Sequence, residues 1–354
     1  MGMRLLITTQ AVDLDDPILG FFHRWILEFA KHCERVDIIC LKEGRHQLPA
    51  NVFVHSLGKE VRRSRFGYVF RFYHYIYALR HEYDSVFVHM NPEYVVLGGL
   101  FWRQWKKKIA LWYVHRSHTW WLGAALLFAD RVFTSATRSI PSRSKKIVAL
   151  GHGIDTIAFG EAHKPLSMSA PHIVSIGRIA PIKHLETIID AVVRLKERGL
   201  DASLAFVGEA IDRKDEAYQA MLQQRIKEHD AESYIEFRGS MPPAQMPALL
   251  AEADISINAS PTGGIDKTVL ESFAAGVPAF FCNESFKEVL GESAERFEFS
   301  FENAEHLAEK IQQFLAAEDA VAATAMMRDV VKERADVRLL VDRILGWYKT
   351  ANLS

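Results

Sequence analysis

Eleven short β-rich runs alternate with helix-length segments along the chain, and they fall into two sets with an interruption between them. The first set is RLLITT (residues 4–9), VDIIC (36–40), VFVHS (52–56), SVFVH (85–89), IALWYV (109–114) and RVFTS (131–135). Segments such as 18–32 and 66–82 have helix length and lie between them. A strand, helix, strand rhythm of this kind builds a parallel, doubly wound sheet, because parallel neighbours need a crossover long enough to hold a helix. GEAHKPLSMSAP (160–171) breaks the rhythm and reads as a linker. HIVSIG (172–177), LAFVG (204–208), YIEFRG (234–239), DISINAS (254–260) and VPAFFC (277–282) then restart it, and residues 303–351 read as helical throughout.

The expected architecture is therefore α/β, two Rossmann-like doubly wound domains, with ligands at the carboxyl ends of the strands and the active site in the cleft between the domains. The boundaries are drawn at 1–160, 161–335 and 336–354, the last a carboxy-terminal helix. Length agrees, since 354 residues exceed one ordinary compact core.

Cys33, Cys40 and Cys282 match no zinc spacing and no disulfide framework, which favours a reducing compartment. No metal site is expected. The opening MGMRLLITTQAVDLDDP reads as a first strand, not a leader, and the longest apolar run, residues 120–129, is too short to span a bilayer. The net charge of −1 conceals an asymmetry: residues 1–165 hold 23 Lys and Arg against 14 Asp and Glu, net +9, and the remainder is net −10.

Two stretches carry chemistry. In SIGRIAPIKHLETIIDAV, Gly177 ends a strand and Arg178 and Lys183 follow. A glycine lets the backbone turn tightly, and two cations at a strand end form a clamp for a diphosphate, or are simply solvated in a loop. In PTGGIDKTVLESF (261–273), a helix starting near Lys267 would aim its first amides at an anion. Glu271 would accept hydrogen bonds from the vicinal hydroxyls of a sugar or ribose, or merely complement the helix dipole.

Taken together, RVFTS, GHGID (151–155), GRIAPIK, LAFVGE, YIEFRG, ALLAEADISINAS (248–260) and LESFAAGVP (270–278) resemble the retaining glycosyltransferases of family 4, the group 1 glycosyl transferases, whose fold is GT-B. The resemblance implies that Arg178 and Lys183 grip the donor's diphosphate, that Glu271 binds its ribose, and that the backbone of Gly264 approaches the donor. It further implies that His115 lies near the donor sugar and that Gly20 stands where the family has a Gly-Gly pair, although a histidine at a strand end is also often structural.

The sequence departs from the family at the donor loop. Gly263 replaces a glutamate, and Gly264-Ile265-Asp266 replaces a Gly-Phe-Gly run. Asp266 restores a carboxylate or caps the helix, and Lys267 adds a cation for a phosphate or an acidic sugar. Asp13-Leu14-Asp15 imitates a metal-binding DxD but reads as a polar loop.

The resemblance leads to a hexosyltransferase that needs no metal and no cofactor. It would move a sugar with retention from a UDP- or GDP-sugar to a glycan or lipid-linked acceptor in cell-envelope or polysaccharide biosynthesis. Expected localisation is cytoplasmic, peripheral on the inner face of the membrane. RRSRFGYVFRFYHYIYALR (62–80) and WRQWKKK (102–108) fit docking on an anionic membrane surface, and equally fit a buried aromatic helix face with a solvated basic one. No nucleic-acid-binding module accompanies them, so no nucleic-acid partner is expected. The alternatives are a nucleotide-sugar epimerase of related fold and a non-catalytic nucleotide-sugar-binding protein. The carboxy-terminal helix is expected to return to the amino-terminal domain, as in the family.

Overall fold

The structure is a computed structural model, and it describes residues 2–115, 119–140, 142, 144–160, 165–261 and 264–351. The chain divides into two compact units: one runs to Gly153 and is rejoined at Val337, and the other is Ile154–Asp336.

The first unit contains β1 (Arg4–Val12), α1 (Phe22–His32), β2 (Arg35–Glu43), β3 (Val52–Ser56), α2 (Arg65–Ala78), β4 (Ser85–His89), α3 (Pro92–Gln104), β5 (Lys108–Trp112), α4 (Trp120–Phe128), β6 (Arg131–Thr134) and β7 (Ile147–Ala149). Its sheet is parallel throughout, in the order β3-β2-β1-β4-β5-β6-β7. Side chains alternate across the strands, so Leu5 and Ile7 face one layer while Leu6, Val86 and Val88 face the other.

α1 covers the first face with Phe22, Trp25, Ile26 and Phe29, at the spacing that puts residues on one helical stripe. It shares that face with the chain's last helix, residues 337–351, through Leu340, Val341, Ile344, Leu345 and Tyr348. The Tyr348 hydroxyl donates to the carbonyl of Val86, and Trp25 Nε1 donates to that of Gly153 at 3.0 Å. Helices α2, α3 and α4 cover the opposite face. α3 and α4 pack closely because Gly99 has no side chain: a Cβ there would stand 2.6 Å from Phe128.

The second unit contains β8 (His172–Ile176), α5 (Leu185–Glu197), β9 (Ser203–Val207), α6 (Arg213–Glu228), β10 (Ile235–Phe237), α7 (Met246–Glu252), β11 (Ile255–Asn258), α8 (Lys267–Ala274), β12 (Ala279–Phe281), α9 (Phe286–Leu290), α10 (Ala304–Leu315) and α11 (Ala320–Arg334). Its parallel sheet has the order β10-β9-β8-β11-β12. The order reverses between β8 and β11, leaving a crevice at their carboxyl ends where ligands bind in open α/β sheets.

All eleven expected strands are present, and β7 is an addition. It is three residues long and lies between Lys145-Lys146 and Gly151, too short to show a pattern. The tail is not one continuous helical run but α10, α11 and a third helix, α12 (Val337–Ala351). The division falls at Gly153, before the linker, because β7 completes the first sheet and Ile154 already bonds to the second unit: its amide donates to the Ala335 carbonyl at 2.9 Å, and Thr156 donates to Asp336.

Candidate functional site

The switch point of the second sheet is built from backbone first. Beyond β8 the chain passes through Gly177 at φ +146°, and beyond β9 through Gly208 at φ +155°. The two backbones run so close that a Cβ on Gly208 would stand 1.9 Å from the Gly177 carbonyl oxygen. A side chain is sterically barred at Gly208 and disfavoured at Gly177 by its positive φ, so the strand ends stay bare. A single turn, Pro181–Lys183, then leads through His184 in the left-handed region, φ 45° and ψ 47°, into α5. That turn brings the Lys183 ammonium to 3.6 Å from the place a Gly177 Cβ would occupy.

Lys183 is held there from the β11 side. Its ammonium donates to Asp266 Oδ2 at 2.6 Å, the side chains being 22% and 21% exposed. Asn258, the last residue of β11, donates to the same oxygen at 2.9 Å. The other carboxylate oxygen caps α8, accepting from the Thr268 hydroxyl at 3.1 Å and its amide at 3.4 Å. Burial alone would raise the pKa of Asp266, but the charge and hydrogen bond of Lys183, with Asn258 and the Thr268 amide, outweigh it and hold the carboxyl well below its usual range.

Arg178 is 46% exposed, and its Nε lies 3.2 Å from the buried carboxylate of Asp215 in α6, which fixes the side chain beside Gly177. Ser175, Gly177, Arg178, Lys183, Asn258 and Ser260 line a small cavity. The Ser260 hydroxyl is buried and has no hydrogen-bond partner among the described residues, a group left for a ligand or water to satisfy.

Glu271 lies in the second turn of α8, on its inner side with Val269, Leu270 and Phe273, and is 9% exposed. That placement corrects the dipole expectation, since such pairing acts within the first turn, and α8 has no acid there. Burial raises the Glu271 pKa against the opposing charge of Lys267, and burial lowers that of Lys267. The first amides of α8 are likewise not simply open to an anion, because Asp266 already takes that of Thr268.

Of the residues singled out in the sequence, Arg178, Lys183, Asp266, Lys267 and Glu271 gather around these strand ends, with Gly264 in the bend ahead of Asp266. Gly263 lies outside the described residues. Gly20 and His115 belong to the first unit. Gly20 closes the turn into α1, its amide donating to Asp16 O at 2.9 Å, and does not use a left-handed conformation. His115 follows β5 with an exposed ring set edge-on to Tyr113 at 5.6 Å. Crowding by surrounding protein lowers its pKa, which favours the neutral imidazole.

The carboxylates of Asp13 and Asp15 are engaged by Lys42 at 2.9 Å and Arg45 at 2.6 Å. Asp215, Asn258, Ser260 and Gly208 were not legible as site residues. Only Gly208 gave a local signal, a glycine directly after a strand.

Residues 161–335 match the family model described as glycosyl transferases group 1. Among curated relatives, the colanic acid biosynthesis glycosyltransferase WcaL of Escherichia coli (strain K12) is 26% identical over 140 residues, covering 38% of this chain and 33% of that protein. The chain thus matches about a third of that relative's length. Among solved structures, Anabaena Alr3699/HepE in complex with UDP superposes with a TM-score of 0.78 at 16% identity, covering 98% of this chain and 100% of that one. The sucrose-phosphate synthase of Thermosynechococcus elongatus gives a TM-score of 0.76 at 15% identity, covering 99% and 100%. The two-sheet architecture is thus that of the GT-B glycosyltransferases.

Proposed function

We propose that this chain, whose residues 161–335 match the model of the glycosyl transferases group 1, transfers a hexose, with retention of configuration, from a UDP- or GDP-sugar to a glycan or lipid-linked acceptor in cell-envelope or polysaccharide biosynthesis. One observation carries this reading: Lys183 and Arg178 flank the bare Gly177 backbone at the switch point between β8 and β11. Breaking a sugar–phosphate bond places negative charge on the leaving diphosphate, and fixed cations beside an unobstructed backbone stabilise that charge most where it develops. Lys183 and Arg178 supply the countercharge without a metal, and Glu271 accepts from the ribose hydroxyls. The unpartnered Ser260 hydroxyl offers the diphosphate a further hydrogen bond. Desolvation lowers the pKa of His115 and favours its neutral imidazole, the form that would hydrogen-bond a sugar hydroxyl without adding charge. The relation to WcaL and the likeness to the UDP-bound HepE point the same way.

Calorimetric titration of UDP, GDP, ADP and CMP and their common sugars tests the donor. One nucleotide should bind tightly to the wild type and be lost in Lys183→Ala. Absence of binding to every one of them overturns the reading. Incubation of the bound nucleotide sugar with and without envelope glycolipids then separates transfer from epimerisation and from binding without turnover, and the anomeric configuration of the product decides retention.

A further inference from the structure

α2 has two apolar stripes where a helix covering a sheet needs one. The inner stripe, Phe72 and Ile76 with Tyr68, Tyr75 and Leu79, packs into the core. Phe66, Phe70 and Tyr77 recur at the spacing of a second face, and Tyr73, partly buried against the same core, lies at the border of the two stripes. That face is turned to solvent: Phe66 is 89% exposed, Phe70 76% and Tyr77 59%. The stripe continues onto α3, where Tyr73 meets Phe101 edge-on at 5.7 Å and Tyr77 lies 6.3 Å from Trp105. Leu100 extends it, 65% exposed. Five of the seven exposed aromatic side chains among the described residues stand on α2, α3 and α4, so the exposure is gathered in one helical layer and not scattered.

The charge around this face selects its occupant. Residues 61–81 hold five arginines and no acid. Arg71 is turned inward to the Ser56 carbonyl, and Arg80 lies 4.1 Å over the Tyr77 ring. Arg62, Arg63, Arg65 and, past α3, Lys106 make no ion pair with a described carboxylate. A second copy docked about a two-fold axis would set this cationic collar against itself. An anionic surface with an apolar interior meets both features.

We propose that the outer face of α2, with Leu100 and Phe101 of α3, docks on an anionic lipid bilayer, its rings entering the interface and its arginines meeting headgroup phosphates. The inference deepens the proposed function, resting on it for the lipid-linked acceptor that such docking would serve. Vesicle binding itself needs no donor and no transfer. Retained vesicle binding without sugar transfer therefore counts against the proposed function alone.

Co-sedimentation of the full chain with phosphatidylcholine vesicles, with and without phosphatidylglycerol, tests the proposal. The wild type should bind only the phosphatidylglycerol-containing vesicles, and salt should weaken the binding. Phe66→Ser/Phe70→Ser should reduce binding about tenfold or more, since two rings leave the interface. Arg62→Ser/Arg63→Ser/Arg65→Ser should reduce it on the order of a hundredfold, each surface cation contributing about fivefold. Both variants should keep the wild-type Tm and nucleotide affinity. No binding of the wild type to phosphatidylglycerol vesicles, or undiminished binding of both variants, overturns the proposal. So does a wild-type dimer in sedimentation that Phe66→Ser/Phe70→Ser dissociates, which would assign the face to self-association.

Discussion

Lys183 and Asp266, 83 residues apart in sequence, form an ion pair of 2.6 Å that ties the turn after β8 to the cap of α8. The carboxylate stands between an ammonium and the amino-terminal end of α8, where it accepts from the Thr268 amide. Under the proposed function a donor diphosphate would compete with it.

Asp266→Asn keeps a capping side chain but removes the competing charge. Titration of the bound nucleotide should show affinity rising up to about fivefold, the value of a partly exposed ion pair. Weakened binding would instead make Asp266 a donor contact that stands in for the carboxylate missing at Gly263. The pH dependence has a fixed sign. Because the folded pKa of Asp266 lies below its ordinary value of 3.8, the pair's stabilisation is fully present above that value and is lost as pH falls through the folded pKa. The variant's stability should therefore fall less steeply than the wild type's on acidification in urea titrations.

Glu271 carries the opposite sign. Burial raises its pKa, so between the ordinary and the folded value the native state binds more protons than the unfolded chain, and stability falls as pH rises through that window. Glu271→Gln removes the charge and keeps the shape. At neutral pH its Tm should exceed the wild type's by a few degrees while nucleotide binding is lost. A variant that melts lower, or that binds the nucleotide normally, would remove Glu271 from the donor site.

The features that were legible in the sequence are those whose cause is local. HIVSIG announces β8 and its terminal glycine together, and LESFAAGVP places Glu271 on a helix without any partner being known. Asp215 could not be found this way: nothing in RKDEAYQAML distinguishes it from its acidic neighbours until α6 is laid beside the turn holding Arg178. The aromatic run 66–77 displayed both of its stripes in its spacing, but which one faces the sheet depends on α3 and β4. In the fold Phe72 and Ile76 are buried, as a core-packing face requires, whereas Phe66 and Phe70 are exposed. Ser260 became informative only once its hydroxyl was seen to lack a partner.

Gly208 shapes the crevice after β8 through its contact with Gly177 and does not line the cavity itself. Gly208→Ala would combine an unfavourable φ of +155° with a contact of 1.9 Å to the Gly177 carbonyl, and the atom met is backbone that cannot swing aside. A loss of about 3 kcal/mol or more is expected in denaturant titrations. Nucleotide affinity should fall in whatever protein remains folded, because the strand end carrying Arg178 must shift. Gly199→Ala has a positive φ but meets nothing within 4 Å, so it should cost less and leave nucleotide affinity unchanged.

Removal of α12 should unfold the first unit and spare the second. Leu340, Val341, Ile344, Leu345 and Tyr348 are each at most 1% exposed and fill one face of the first sheet beside α1. At roughly 1.5–3 kcal/mol for each buried side chain of this size, their loss is as large as the whole stability of a typical domain, about 5–15 kcal/mol. A chain ending at Asp336 should therefore lose the first unit's cooperative unfolding transition and expose its α1 and β2 segments to protease. The second unit should stay protected, since truncation there spares Thr156–Asp336 and Ile154–Ala335. Tyr348→Phe isolates one interaction of the set. It leaves the Val86 carbonyl without the tyrosine hydroxyl and should cost about 1–3 kcal/mol. Unchanged melting of the truncated chain would mean that α1 and the strands hold the first unit unaided.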